Sequence, residues 1–91
     1  MSTLDDDAVA SALGSLAWER EGTELAKTVK LKDFAEAMRF VNALAEAAEA
    51  ANHHPDISIS WNTVRLRLST HSAGGITQKD LDLARRIDEL T

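Results

Sequence analysis

The 91-residue chain holds three histidines, and all of them fall in one short stretch, at His53, His54 and His71. An imidazole titrates near neutrality, so it can both give and take a proton there. Positioned acid–base groups contribute on the order of 10²–10⁴ in rate. Elimination of water needs both acts: a proton delivered to the leaving hydroxyl and another removed nearby. Imidazoles gathered around one pocket supply both. A second chemistry for such a trio is metal binding, because zinc commonly takes three histidines and a water. Adjacent His53 and His54 argue against it, since side chains of successive extended residues diverge. The nearby Glu49 and Asp56 complete no recognised ligand spacing, so no metal is expected. Nucleophilic catalysis lacks a candidate. There is no cysteine, and neither Ser69 nor Ser72 sits in an elbow motif. Ala73-Gly74-Gly75 lacks the lysine and spacing of a phosphate-binding loop and reads as a turn. The plain alternative is structural: His53 ends a helix, while His54 and His71 pack or face solvent. Residue types alone leave that alternative and acid–base chemistry side by side.

The elements that must position these rings are legible from periodicity. Ile57, Ile59 and Trp61 alternate with Ser58 and Ser60, and Val64, Leu66 and Leu68 alternate with Arg65, Arg67 and Ser69. Period-two alternation predicts strands with one buried face. Asn62 and Thr63 between the runs suit a two-residue turn. Such a turn pairs Trp61 with Val64, Ile59 with Leu66 and Ile57 with Leu68. Continued downward, this register sets His54 opposite His71, with Pro55 disturbing the last rungs because it has no N–H to donate. His53 and His71 are then expected on an exposed polar face.

Elsewhere, a helix over residues 4–13 is expected to open on a Thr3/Asp6 capping box and stop at Gly14. Residues 16–20 and 25–31 read as a hairpin around Glu21-Gly22, with Trp18 opposite Leu25. Asp33 caps a helix that starts at Phe34. Its apolar stripe runs through Ala37, Met38, Val41, Leu44, Ala45 and Ala48, and it ends near Ala51 ahead of Pro55. Thr77 with Asp80 matches a second capping box, and Ile76 with Leu81 a hydrophobic staple. Leu81, Ala84, Ile87 and Leu90 carry the last helix. The order α-β-β-α-β-β-α predicts an α+β, two-layer fold: a four-stranded antiparallel sheet with three helices on one face.

Residues 1–91 read as a single domain. With 15 acidic and 10 basic side chains and a formal charge of −5, nucleic-acid binding is not expected. Lys27, Lys30 and Lys32 read as a solvated strand edge. The acidic N-terminus does not resemble a signal peptide, and no apolar run is long enough to span a membrane. A cytoplasmic location is expected. An open sheet leaves two edge strands with unpaired backbone groups, and the alanine-rich middle helix suits close helix contact. A homodimer or homotetramer is therefore expected.

The segment Glu49-x-x-x-His53-His54-Pro55, followed by Trp61 and His71, resembles the motif of the pterin-4a-carbinolamine dehydratases. The stretch Thr70-His71-Ser72-Ala73-Gly74-Gly75-Ile76-Thr77, with Asp80 three residues on, is similar to a second family segment. Trp18 and the Phe34-Ala35-Glu36-Ala37 helix start also fit, so the resemblance covers nearly the whole chain. It implies elimination of water from a 4a-hydroxytetrahydropterin to give a quinonoid dihydropterin, as part of tetrahydrobiopterin recycling. It implies catalysis by His53, His54 and His71, with His53 and His71 as the acid–base pair and His54 positioning substrate. Asn52, Ser69, Thr70 and Ser72 would line the pterin pocket. Glu49 and Asp80 would orient imidazoles or bind pterin nitrogens, and Trp18 would cover the ring or sit in the core. No cofactor or metal is implied, and the partner is the pterin itself, with a pterin-dependent hydroxylase as a pathway partner. Some relatives are instead protein-binding partners, acting in transcription-factor dimerisation or enzyme assembly. The chain departs from common family usage at Val29 and Leu31, where aromatics are frequent, and at Asn52, where aspartate is frequent.

Overall fold

In the computed structural model, which describes residues 2–91, the elements are α1 (Asp6–Leu13), β1 (Glu19–Glu21), β2 (Glu24–Lys30), α2 (Phe34–Ala51), β3 (Asp56–Ser60), β4 (Thr63–Leu68) and α3 (Gln78–Asp88), with a 3-10 turn at His71–Ala73 before α3. The strands form one antiparallel sheet in the order β1-β2-β4-β3. This is the α+β arrangement expected. Leu25 and Val29 of β2 and Val64, Leu66 and Leu68 of β4 meet Phe40, Leu44, Ala47 and Ala48 of α2 and Leu81, Leu83, Ala84 and Ile87 of α3 in one buried cluster. Among the described residues, no helix is long and apolar enough to cross a membrane.

The first hairpin turns one residue later than the alternation suggests, and the second one residue earlier. In the first, Arg20 faces Leu25 and Glu21 faces Glu24, so Gly22-Thr23 forms the turn rather than Glu21-Gly22. Gly22 supplies the positive φ (64°) that opens it. In the second, Ser60 faces Thr63, Ile59 faces Val64 and Ile57 faces Leu66. The turn is Trp61-Asn62, and Trp61 leaves the ladder with φ 51° and 66% of its surface exposed. The Asn62 side chain donates to the Leu31 carbonyl at 3.0 Å, and Leu31 N–H donates to the Asn62 carbonyl at 2.8 Å. These bonds fasten the turn to the end of β2 and favour this register. A displacement of two residues keeps every side chain on its predicted face. It does move His54 and His71 off the ladder, which stops at Asp56 and Arg67. The helix layer covers β2 and β4 but not the edge strand β3, so Ile57 and Ile59 stay partly exposed rather than buried.

Three other expectations change. Asp5, not Thr3, caps α1 by accepting from Ala8 N–H at 2.8 Å, because Thr3 is packed against Gly75. Gly14 ends that helix in the right-handed region, so no left-handed stop is needed. The buried stripe of α2 runs through Ala37, Phe40, Leu44, Ala47 and Ala48. Phe34 is exposed and Met38 and Val41 half-buried along a second flank.

Lys27 is not a solvated edge residue. It points inward between Leu25 and Val29, and its ammonium lies 2.5 Å from the Asp88 carboxylate at the end of α3. The same carboxylate accepts from Trp18 Nε1 at 2.8 Å and Ala17 N–H at 3.1 Å. Burial pushes the Asp88 carboxyl up, but the Lys27 hydrogen bond, the Ala17 N–H, the Lys27 charge and the Trp18 indole together outweigh it and hold it below its ordinary value. A carboxyl whose folded value is depressed adds stability above the unfolded value and loses it as pH falls through the folded one. Asp88→Asn should therefore cost about 1–3 kcal/mol at neutral pH, as for loss of a hydrogen bond to a charged group. Wild type and variant should converge as the pH drops below about 4. Urea unfolding of both proteins between pH 7 and 2 measures this, and a gap that stays constant with pH would contradict the assignment.

Candidate active site

The site begins where α2 stops. Asn52 takes the left-handed conformation (φ 49°, ψ 44°), which asparagine tolerates better than most residues. Asn52 N–H then bonds the Glu49 carbonyl at 3.1 Å, and His53 N–H bonds the Ala48 carbonyl at 3.1 Å. This is the paired closure of a Schellman motif. The chain reverses here and carries His53 back toward α3, while Pro55 leads into β3.

The opposing wall is the segment after β4. Thr70 and Gly75 pair through backbone bonds of 2.9 and 3.3 Å, with Gly74 at φ 80° supplying the turn. That closure presents Ser69, Thr70, His71 and Ser72 to the same side as the histidine pair.

Asp80 joins the two walls. It is fully buried and completes the capping box of α3 by accepting from Thr77 N–H at 2.8 Å. The same oxygen accepts from the Thr70 hydroxyl at 2.9 Å. Its other oxygen lies 2.5 Å from His53 Nε2. The capping role and the contact with an imidazole therefore coexist in one carboxylate. A carboxylate only accepts, so this contact places a proton on Nε2 and leaves Nδ1 as the free nitrogen. Glu49, in the last turn of α2, makes the equivalent contact with His54 Nε2, out at the surface.

Asn52, His53, His54, Ser69, Thr70, His71 and Ser72 line one open cleft of about 270 Å³. Lys79 also lines it, a residue that sequence reasoning missed. Its neighbour Asp80 in the first turn of α3 was the available signal. Trp18 is not part of this cleft: it is 5% exposed and bonded to Asp88, two helical turns or about 12 Å along α3 from Asp80. Lys27 stacks its ammonium 5.9 Å from the indole centroid, which accounts for Trp18 as a core residue. The cleft thus offers three imidazoles, an amide, hydroxyls and one ammonium. That set can hydrogen-bond a planar heterocycle and move protons on it.

Known proteins resemble this chain over nearly its whole length. The sequence profile of the family described as Pterin 4 alpha carbinolamine dehydratase matches residues 2–90. A Thermomicrobium roseum protein, provisionally named pterin-4-alpha-carbinolamine dehydratase, is 54% identical over 91 residues, covering 99% of this chain and 98% of that protein. The crystal structure of a transcriptional coactivator/pterin dehydratase from Brucella melitensis superposes with TM-score 0.94 at 30% identity, covering 98% of both chains. A pterin dehydratase-like RuBisCO assembly factor of the alpha-carboxysome superposes with TM-score 0.67 at 25% identity, covering 84% of this chain and 88% of that one. With the profile spanning nearly every residue and the relatives matching end to end, the chain belongs to the pterin-4a-carbinolamine dehydratase family.

Proposed function

We propose that the protein is a hydro-lyase that eliminates water from a 4a-hydroxytetrahydropterin, with His53 and His71 exchanging the protons. The single observation that carries this reading is the His53–Asp80 contact on the wall of a cleft that His54 and His71 also line. In the reaction the C4a–O bond breaks, and the N5–H electrons form the N5=C4a bond of the quinonoid dihydropterin. One imidazolium delivers a proton to the departing hydroxyl, and one neutral imidazole accepts the N5 proton. His53 suits the accepting role, because Asp80 holds its Nε2 proton and leaves Nδ1 free. His71 lies on the opposite wall and suits the donating role. His54, steadied by Glu49, and Asn52 position the ring, and Lys79 adds a cation at the rim. The family relation supports the dehydratase activity, and the cleft's hydrogen-bonding groups support a pterin as the substrate.

The test is dehydration of a 4a-hydroxytetrahydropterin followed by absorbance, with and without protein. The decay should be faster by on the order of 10²-fold or more, and a rate equal to buffer would remove the proposal. His54→Ala should raise KM and leave kcat within a few-fold, as expected when binding shared by ground and transition states is lost. A fall in kcat as large as for His53 or His71 would instead make His54 a proton donor.

A second reading, as a protein-binding or assembly factor, finds support in the fold it shares with a RuBisCO assembly factor. The closer superposition with the coactivator/dehydratase and the complete histidine set favour catalysis. Self-association belongs with either reading. β1 is a short edge of Glu19, Arg20 and Glu21, blunted by charge. β3 is an edge with Ile57 and Ile59 partly exposed. Pairing of two β3 strands would make a continuous sheet, and the Phe34, Met38, Val41 and Ala45 flank of α2 suits a further helix contact. Light scattering at micromolar protein should give at least twice the 9.9 kDa of one chain, and a mass equal to one chain would refute association.

A further inference from the structure

His71 has a second environment besides the cleft. His53 and His54 are each held by a carboxylate, whereas His71 forms no side-chain hydrogen bond among the described residues. One of its ring nitrogens instead belongs to a cluster with a carboxylate oxygen of Glu24 and one of Asp56, all within 4.8 Å of one another. The three donors come from separate strand ends: the start of β2, the start of β3 and the turn after β4. None lies near another in sequence except through the sheet, so no ligand spacing announces the set. We propose that Glu24, Asp56 and His71 form a binding site for a borderline divalent cation such as Zn²⁺.

The donor set fits that class. Imidazole nitrogen with carboxylate oxygen suits zinc, and the set leaves a coordination position open for water. Donors on one such ion, each about 2.1 Å from it, stand at most about 4.2 Å apart. The three donors already lie within 4.8 Å of one another, and Asp56 and His71 are exposed while Glu24 is half-buried, so small side-chain rotations can bring them onto one ion. Arg67 does not block the change. Its guanidinium is 2.7 Å from Glu21 and 3.5 Å from Glu24, so Glu24 can turn to a metal while Arg67 keeps its shorter partner. Asp56 faces Arg67 across the ladder, and this nearby positive charge makes the site weaker than one walled by acids alone. Binding also has a consequence for the cleft. A metal on the His71 ring takes the lone pair that would carry a proton, so the ion silences dehydration rather than assisting it. This consequence, unlike the site itself, rests on the acid–base role proposed for His71.

The experiment combines calorimetric titration of Zn²⁺ into the intact protein with the dehydration assay, on wild type, Glu24→Gln and Asp56→Asn. Neither substituted residue lines the catalytic cleft, but both carboxylates stand beside the His71 ring, so inhibition in each variant is read against its own metal-free rate. Wild type should bind one ion per chain and lose activity as it binds, with activity restored by EDTA. Each variant should bind at least tenfold more weakly and resist inhibition by the same factor. Equal binding in wild type and variants, or no binding at millimolar Zn²⁺, would overturn the site. Binding that depends on Glu24 and Asp56 but leaves wild-type activity intact would uphold the site and count against His71 as a proton-transfer group.

Discussion

Protein carrying both His53→Gln and His71→Ala should fold normally and lose dehydration activity nearly completely. Each proton-transfer group is worth on the order of 10²–10⁴ in rate, and removing either should lower kcat by about that factor. Glutamine is the right replacement at position 53. On the sequence alone His53 belongs to an exposed polar face, where truncation costs little. In the structure its side chain is only 10% exposed and bonded to a fully buried carboxylate. Alanine there would leave an oxygen of Asp80 without a partner, at about 1–3 kcal/mol, and would confuse lost chemistry with lost fold. A glutamine amide can still donate to Asp80 but cannot shuttle a proton. His71 is exposed, so alanine there should change stability by less than about 0.5 kcal/mol. Stopped-flow turnover and urea midpoints of the singles and the double separate the two effects, and a double variant retaining wild-type kcat would overturn the assignment.

Asp80→Ala should have the largest effect on stability of any substitution in the cleft. The side chain caps α3 through Thr77, ties Thr70 to that helix and holds His53. Losing a cap and leaving buried donors unpaired should together cost about 2–4 kcal/mol. Asp80→Asn distinguishes the structural part from the chemical part. Its remaining carbonyl oxygen can keep the cap, but its amide donates, so His53 must present Nε2 as an acceptor and its proton moves to Nδ1. The asparagine variant should unfold at a urea concentration between wild type and alanine, while its kcat falls as far as that of His53→Gln. An asparagine variant with wild-type kcat would show that Asp80 is only a capping residue.

The parts of this protein that could be read from sequence are those fixed by local rules. The Asp33 cap, the span of α2 and the Thr77–Asp80 box depend on residues a few positions apart, and they appear where periodicity and capping place them. Strand faces were legible for the same reason. Registers were not, because a shift of two residues preserves alternation and is decided by distant contacts, such as Asn62 with Leu31. Lys27 was misread because the partner that makes its burial tolerable, Asp88, lies 61 residues away. Trp18 was drawn into the site by resemblance, whereas its indole N–H is taken by that same carboxylate. The cleft was legible because its walls are two short contiguous segments, residues 52–54 and 69–72. Lys79 and the Glu24–Asp56–His71 cluster were not, since only the folded sheet and helix bring those side chains together.

The central claim, that this cleft holds a pterin between the imidazoles, has an unusually clean readout because the chain has three histidines and no others. Long-range ¹H–¹⁵N NMR spectra of the imidazoles, recorded while a stable reduced pterin is titrated in, test it most directly. The account predicts that the ring nitrogens of His53, His54 and His71 all shift with one common saturation curve, and that free His53 carries its proton on Nε2. Saturable binding of the pterin with all three imidazole signals unmoved would contradict it.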